Sequence, residues 1–165
     1  MKHSISILLA LVVWACMSSA QAAKVATASS ALGQAETQAI VHAMKRQFDQ
    51  PKSPLKVAPV VVAGDWALAS WLQGTRGGRA LLQKRHSHWV IVVCGGEGLV
   101  LSSTLVQTGM AADVAAALAK NLQVAEAQLP AATRQKFASF AGMLRVDGDA
   151  SHGTAHGMQG AHQKH

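Results

Sequence analysis

Tyrosine is missing from this chain, and Trp and Phe together supply only seven aromatic residues in 165. A core with so little aromatic surface is built from small aliphatics, which bury less area per residue. Acidic residues are also scarce, eight against fifteen Lys and Arg, and charged residues make up only 14%. That low charged fraction excludes a solvated, unfolded polyelectrolyte. So few carboxylates also leave a hydrolase poorly supported, and no Ser/His/Asp order, zinc-protease motif or carboxylate pair stands out. No apolar run reaches the roughly 18 residues of a membrane-spanning helix. Cysteine is limited to Cys16 and Cys94.

What is present begins with an export signal. Met1-Lys2-His3 is a short basic start, Ile5 to Ala15 is apolar apart from Ser6, and Ala20-Gln21-Ala22 fits the small-x-small cleavage rule. The pattern predicts a secretory signal peptide over residues 1–22, cut after Ala22. The rival is a lipoprotein acylated at Cys16, which the bulk of Trp14 disfavours. With Cys16 removed, Cys94 stands alone and no internal disulfide is available in a compartment that would permit one. The formal charge of +7 permits contact with nucleic acid or anionic lipid. Export argues against a nucleic-acid role.

Half of the chain is formally hydrophobic, but 31 residues are alanine. The length suits one domain. Residues 23–33 are small and polar, and are expected to form a flexible leader. Helical spacing begins near Gln34 with Ile40, Val41, Met44 and Phe48, and ends at Pro51 and Pro54. Four strands follow. The β-branched run Val57–Ala63 turns at Gly64-Asp65 into Trp66–Leu72, with Trp66, Leu68 and Ser70 on one face and Ala67, Ala69 and Trp71 on the other. Gly74–Gly78 makes the next turn, and Arg79–Lys84 and Trp89–Cys94 form a second hairpin. Pro59 suits an edge strand because it has no N–H to donate. The helical period returns over Leu101–Gln107, Ala111–Leu129 and Ala131–Phe140, the long one carrying a stripe of Val114, Leu118, Leu122, Ala125 and Leu129. The expected fold is α+β over residues 34–146: an N-terminal helix, a four-stranded antiparallel meander, and C-terminal helices packed on one face.

From Asp147 the sequence has no periodicity, and residues 147–165 are expected to form a disordered tail. They hold His152, His156, Met158, His162 and His165. Imidazole suits copper, nickel and zinc, and the thioether adds preference for Cu(I). Closing a flexible loop of about ten residues costs little, so several of these side chains can converge on one ion. Below about pH 6.5 protons compete with the metal for imidazole. A chance polar tail is the alternative; an appended tag would be a contiguous His run, and these are dispersed among Gly and Ala.

His86 and His88 form a second pair at the predicted hairpin tip, where an i, i+2 spacing can chelate. Solvated histidines beside the repelling cations Lys84 and Arg85 are the competing account. His42 reads as a helix-surface histidine. Cys94 ends an apolar strand, where a thiol packs as a small hydrophobe; a Cu(I) thiolate or a redox thiol is the alternative. The Gly95–Gly98 cluster lacks the Lys and Ser/Thr of a phosphate loop and is read as a turn.

The runs VVVAGDWALASWLQG, GGRALLQK and WVIVVCGG, between Val60 and Gly96, resemble the small exported bacterial proteins described as copper uptake system-associated. Gly109, the Ala-rich helix and Ala125-Glu126 extend the likeness to about residues 34–144. The resemblance implies a non-enzymatic periplasmic accessory to copper acquisition whose partner is a membrane copper-transport protein, and it carries over no catalytic residue. A non-catalytic binding module for a small ligand or protein, with an incidental tail, is the second function class, and a thiol enzyme using Cys94 a distant third.

Overall fold

A computed structural model describes the backbone over residues 17–146 and the side chains over residues 31–146. The basic start and apolar run of the expected signal, and the whole tail from Asp147 with His152, His156, Met158, His162 and His165, lie outside the described residues.

Helix α1 runs from Met17 to Phe48. It begins well before Gln34, so residues 23–33, expected as a leader, are helical. Alanine recurs through this stretch and no proline interrupts it, and alanine has the highest intrinsic helix propensity. The C-terminal half packs against the sheet. Ile40, Ala43 and Met44 are buried, on the i, i+3, i+4 stripe that one helix face presents. Lys45 and Arg46 complement the negative end of the helix. Buried Gln73 donates through Nε2 to the carbonyls of Phe48 at 2.7 Å and Ser53 at 3.0 Å, satisfying a helix-end acceptor that has no intrahelical partner.

The sheet has five strands, not four: β1 (Lys56–Ala63), β2 (Trp66–Gln73), β3 (Arg76–Arg85), β4 (His88–Gly95) and β5 (Met143–Arg145), all antiparallel in that order. Three two-residue turns join the first four. Gly64 and Gly74 take the positive φ these turns require, at 58° and 60°. β1 is an edge strand, and Pro59 sits where its register with β2 shifts between Val57 and Val60. β5 pairs Met143, Leu144 and Arg145 with Gly95, Cys94 and Val93. All three of its residues are exposed, so no burial alternation announces it in the sequence.

Helices cover both faces of the sheet, a correction to the one-faced arrangement expected. On the first face Leu68, Leu81 and Val93 pack against Leu99 and Val100 of a 3₁₀ turn (Glu97–Val100), Leu105 of α2 (Ser102–Val106), and Ala115, Leu118, Ala119 and Leu122 of α3 (Ala112–Ala127). On the second, Ala67, Ala69, Ala80, Leu82 and Ile91 meet Ile40, Ala43 and Met44 of α1. Alanines at the centre of that face let the helix seat close to the strands. A bulge in β4, between the positions opposite Leu81 and Leu82, turns both Val92 and Val93 toward the first face. Helix α4 (Ala131–Ala138) crosses the glycine end of the sheet. A Cβ on Gly96 would lie 2.5 Å from the carbonyl oxygens of Ala138 and Phe140, so only glycine admits this approach.

Candidate functional site

The His86–His88 pair occupies the β3–β4 turn, and both histidines are exposed. His86 and Ser87 have φ of 48° and 66°. A two-residue hairpin turn with both central residues left-handed matches strand twist, but usually uses Asn-Gly. Here a histidine and a serine accept that strain. His88 stands opposite Arg85. The cations beside the pair are not all free: Lys84 Nζ is 2.5 Å from Glu36 Oε1 and 5.7 Å from the Trp89 ring centre. Trp89 Nε1 donates to the other Glu36 oxygen at 2.7 Å. The hydrogen bonds from Lys84 and then Trp89 hold the Glu36 carboxyl below its ordinary pKa. His42 lies exposed on α1.

Cys94 sits at the other end of β4, six residues from His88, which in a strand is roughly 20 Å. The sequence-selected His pair and thiol therefore do not form one centre. Cys94 is buried and free, and burial pushes its thiol up to about 11. It lines a cavity of about 170 Å³ together with Met44, Phe48, Leu55, Trp71 and Phe140. Trp71 packs edge-to-face on Phe140 at 5.9 Å. A neutral thiol among apolar side chains is a packing group at neutral pH. Among the described residues no group of three His, Cys, Asp or Glu converges as a metal site.

The most polar buried arrangement was not singled out from the sequence. Arg79 of β3 and Glu126 of α3 are both buried. Arg79 Nε donates to Glu126 Oε1 at 2.9 Å and Nη2 to Oε2 at 2.7 Å, while Nη1 reaches the Gly96 carbonyl at 3.0 Å. Ser70, opposite Arg79 in β2, donates its hydroxyl to Glu126 Oε1 at 2.5 Å. A groove of about 480 Å³ opens over this network, lined also by Glu97, Gln123, Arg134 and Gln135. A signal for it exists in the sequence. Glu126 follows Leu118 and Leu122 at spacings of four, on the buried face of α3, and a carboxylate there demands a partner. The stripe through Val114, Ala125 and Leu129 is displaced: Ala115, Leu118, Ala119, Leu122 and Glu126 are the buried set.

No protein-family model, curated protein or solved structure matches the chain.

Proposed function

We propose that the protein is an exported, periplasmic copper-binding accessory of a copper uptake or homeostasis system, not an enzyme. It takes the ion mainly through His152, His156, Met158, His162 and His165 and passes it to a membrane copper-transport protein. One observation carries this reading: four histidines and a methionine within the last fourteen residues of a chain with eight histidines in all. Such a donor set suits copper, with zinc and nickel as competitors. The resemblance of the Val60–Gly96 runs to copper uptake system-associated proteins supports it. Among the described residues no helix is long and apolar enough to cross a membrane. Cys94, the secondary thiol candidate, adds little to this donor set, since a thiol held neutral by burial gives up its proton reluctantly.

Competitive titration of the processed chain with Cu(II), Cu(I), Zn(II) and Ni(II), against a form ending at Val146, tests the reading. Loss of the tight copper site on truncation supports it, and unchanged titrations overturn it. The groove over Arg79 and Glu126 favours a second reading, a non-catalytic module for a small polar ligand or partner. That reading is supported if copper binding is absent and small polar ligands broaden Gln123 and Gln135 side-chain amide signals.

A further inference from the structure

On the second face of the sheet, between the end of α1 and the strands, lies the cavity of about 170 Å³ that Cys94 lines. A void of roughly 150 Å³ holds one benzene-sized ring, so this one has room for a ligand of that size. Its walls are set by contacts that need no occupant. Gln73 ties the carbonyls of Phe48 and Ser53 through Nε2 at 2.7 and 3.0 Å. Leu55 N–H donates to Asp49 Oδ1 at 2.6 Å, which fixes the segment after α1. Trp71 is braced edge-to-face on Phe140 at 5.9 Å. The opening is thus framed by fixed side chains, as preformed ligand pockets are.

The lining divides into an apolar body and a charged mouth. Met44 and Leu55 are buried, and Phe48, Trp71 and Phe140 are half-buried. Together they offer aromatic faces and a thioether, surfaces that suit a flat apolar ring. Arg76 and Leu144 also line the space and are exposed, so they stand on its solvent side. Arg76 is the one charged residue of the lining, and it forms no ion pair among the described residues. No Asp or Glu among the described residues lines the cavity. Gln73 has spent its amide hydrogens on chain carbonyls. Besides Arg76, the lining holds one unspent nitrogen donor: Trp71 Nε1, buried and without an acceptor among the described residues. A buried donor left in that state costs stability until an acceptor reaches it. A cation meets only repulsion at this mouth, whereas a carboxylate meets a guanidinium beside an apolar recess.

We propose that this cavity binds a small carboxylate carrying a single apolar ring, with the ring among Met44, Trp71 and Phe140 and the carboxylate on Arg76. The planar guanidinium fork matches a carboxylate through two parallel hydrogen bonds. Trp71 and Cys94 belong to the α1 face of the sheet, whereas Glu126 reaches Arg79 from α3 on the other. The site is therefore separate from the groove over that pair. It uses no histidine, so it stands independently of the copper reading.

The experiment is titration of the metal-free processed chain with benzoate, benzamide and benzylamine, followed in nitrogen–proton correlation spectra. These probes share one ring and differ in the charge of its substituent. Benzoate is expected to shift the Trp71 indole and Gln73 side-chain amide signals, and benzylamine to leave them in place. Arg76 is exposed at the start of β3, so Arg76→Gln retains the fold. That change is expected to weaken benzoate at least about tenfold and benzamide less than about twofold. Equal affinity for benzoate and benzamide, or benzoate binding indifferent to Arg76→Gln, overturns the carboxylate site. Benzoate that moves no cavity signal overturns it as well. Copper titration is read separately, and absence of copper binding beside retained benzoate binding leaves this proposal standing.

Discussion

Arg79 and Glu126, forty-seven residues apart in the chain, are joined by two parallel hydrogen bonds of 2.9 and 2.7 Å beneath the α3–α4 groove. This pair locks the last turn of α3 onto the middle of the sheet. The charges are shielded from water, and Ser70 and the Gly96 carbonyl satisfy further positions, so the arrangement is a complete network.

Removing one partner leaves the other charge buried and unpaired. Glu126→Ala or Arg79→Ala is therefore expected to cost about 3–5 kcal/mol in urea unfolding. The double Arg79→Met/Glu126→Leu change, which removes both charges while keeping volume, is expected to cost less than either single change. A double variant as unstable as the sum of the singles would show that the pair is not coupled.

The Cys94 thiol is raised by burial to about 11, whereas an unfolded cysteine titrates near about 8.5. The folded state thus holds this proton more tightly. Its contribution to stability is complete below the unfolded value and is lost as pH climbs toward the folded one. Between about pH 8.5 and 11 the unfolding free energy should fall by up to about 1.4 kcal/mol per pH unit from this group. Cys94→Ala should flatten that alkaline limb when urea midpoints are compared across the range. The native thiol should also resist a disulfide reagent at pH 8 and react promptly once the chain is unfolded.

Glu36 responds on the acid side. Its carboxyl is lowered by the hydrogen bonds from Lys84 and Trp89. It contributes stability above the ordinary carboxylate range and loses it as pH falls through the depressed folded value. The Trp89 indole N–H resonance should shift in that acid window as its acceptor is protonated. Glu36→Gln should abolish the inflection, and an unchanged profile in that variant would assign the transition to another group.

The β3–β4 turn carries removable strain. Ser87 has φ of 66° without being glycine, so Ser87→Gly should raise stability by about 1 kcal/mol. Urea midpoints measure this directly.

Gly96 offers the opposite case. Alanine there would place a methyl 2.5 Å from the Ala138 and Phe140 carbonyl oxygens. Gly96→Ala should displace α4 and lower stability by about 1–3 kcal/mol. A change in Trp71 emission would report it, since Phe140 packs on that ring.

Much of this architecture was legible because local rules agreed. Gly64-Asp65 and Gly74 marked turns, alternation set Leu68 and Ser70 against Ala67 and Trp71, and Pro59 pointed to an edge. β5 was not legible, because three exposed residues are a strand only by virtue of the β4 edge beside them. The second helical layer was hidden for a related reason. Ala67, Ala69 and Ala80 look featureless in the sequence, and become a packing surface only when Ile40 and Met44 sit on them.

For the candidate site the division falls along the same line. The chemistry was open to view in the linear chain: which side chains are imidazoles, thioethers or thiols, and that the histidines crowd into the last nineteen residues and the β3–β4 turn. These are properties of composition and spacing, which do not depend on folding. Strand register and burial alone set His88 and Cys94 at opposite ends of one strand, bring Arg79 to Glu126, and pair Val146 with Val92 at the edge of β4. Those are relations between distant segments, fixed by strand register and burial, which no local pattern encodes.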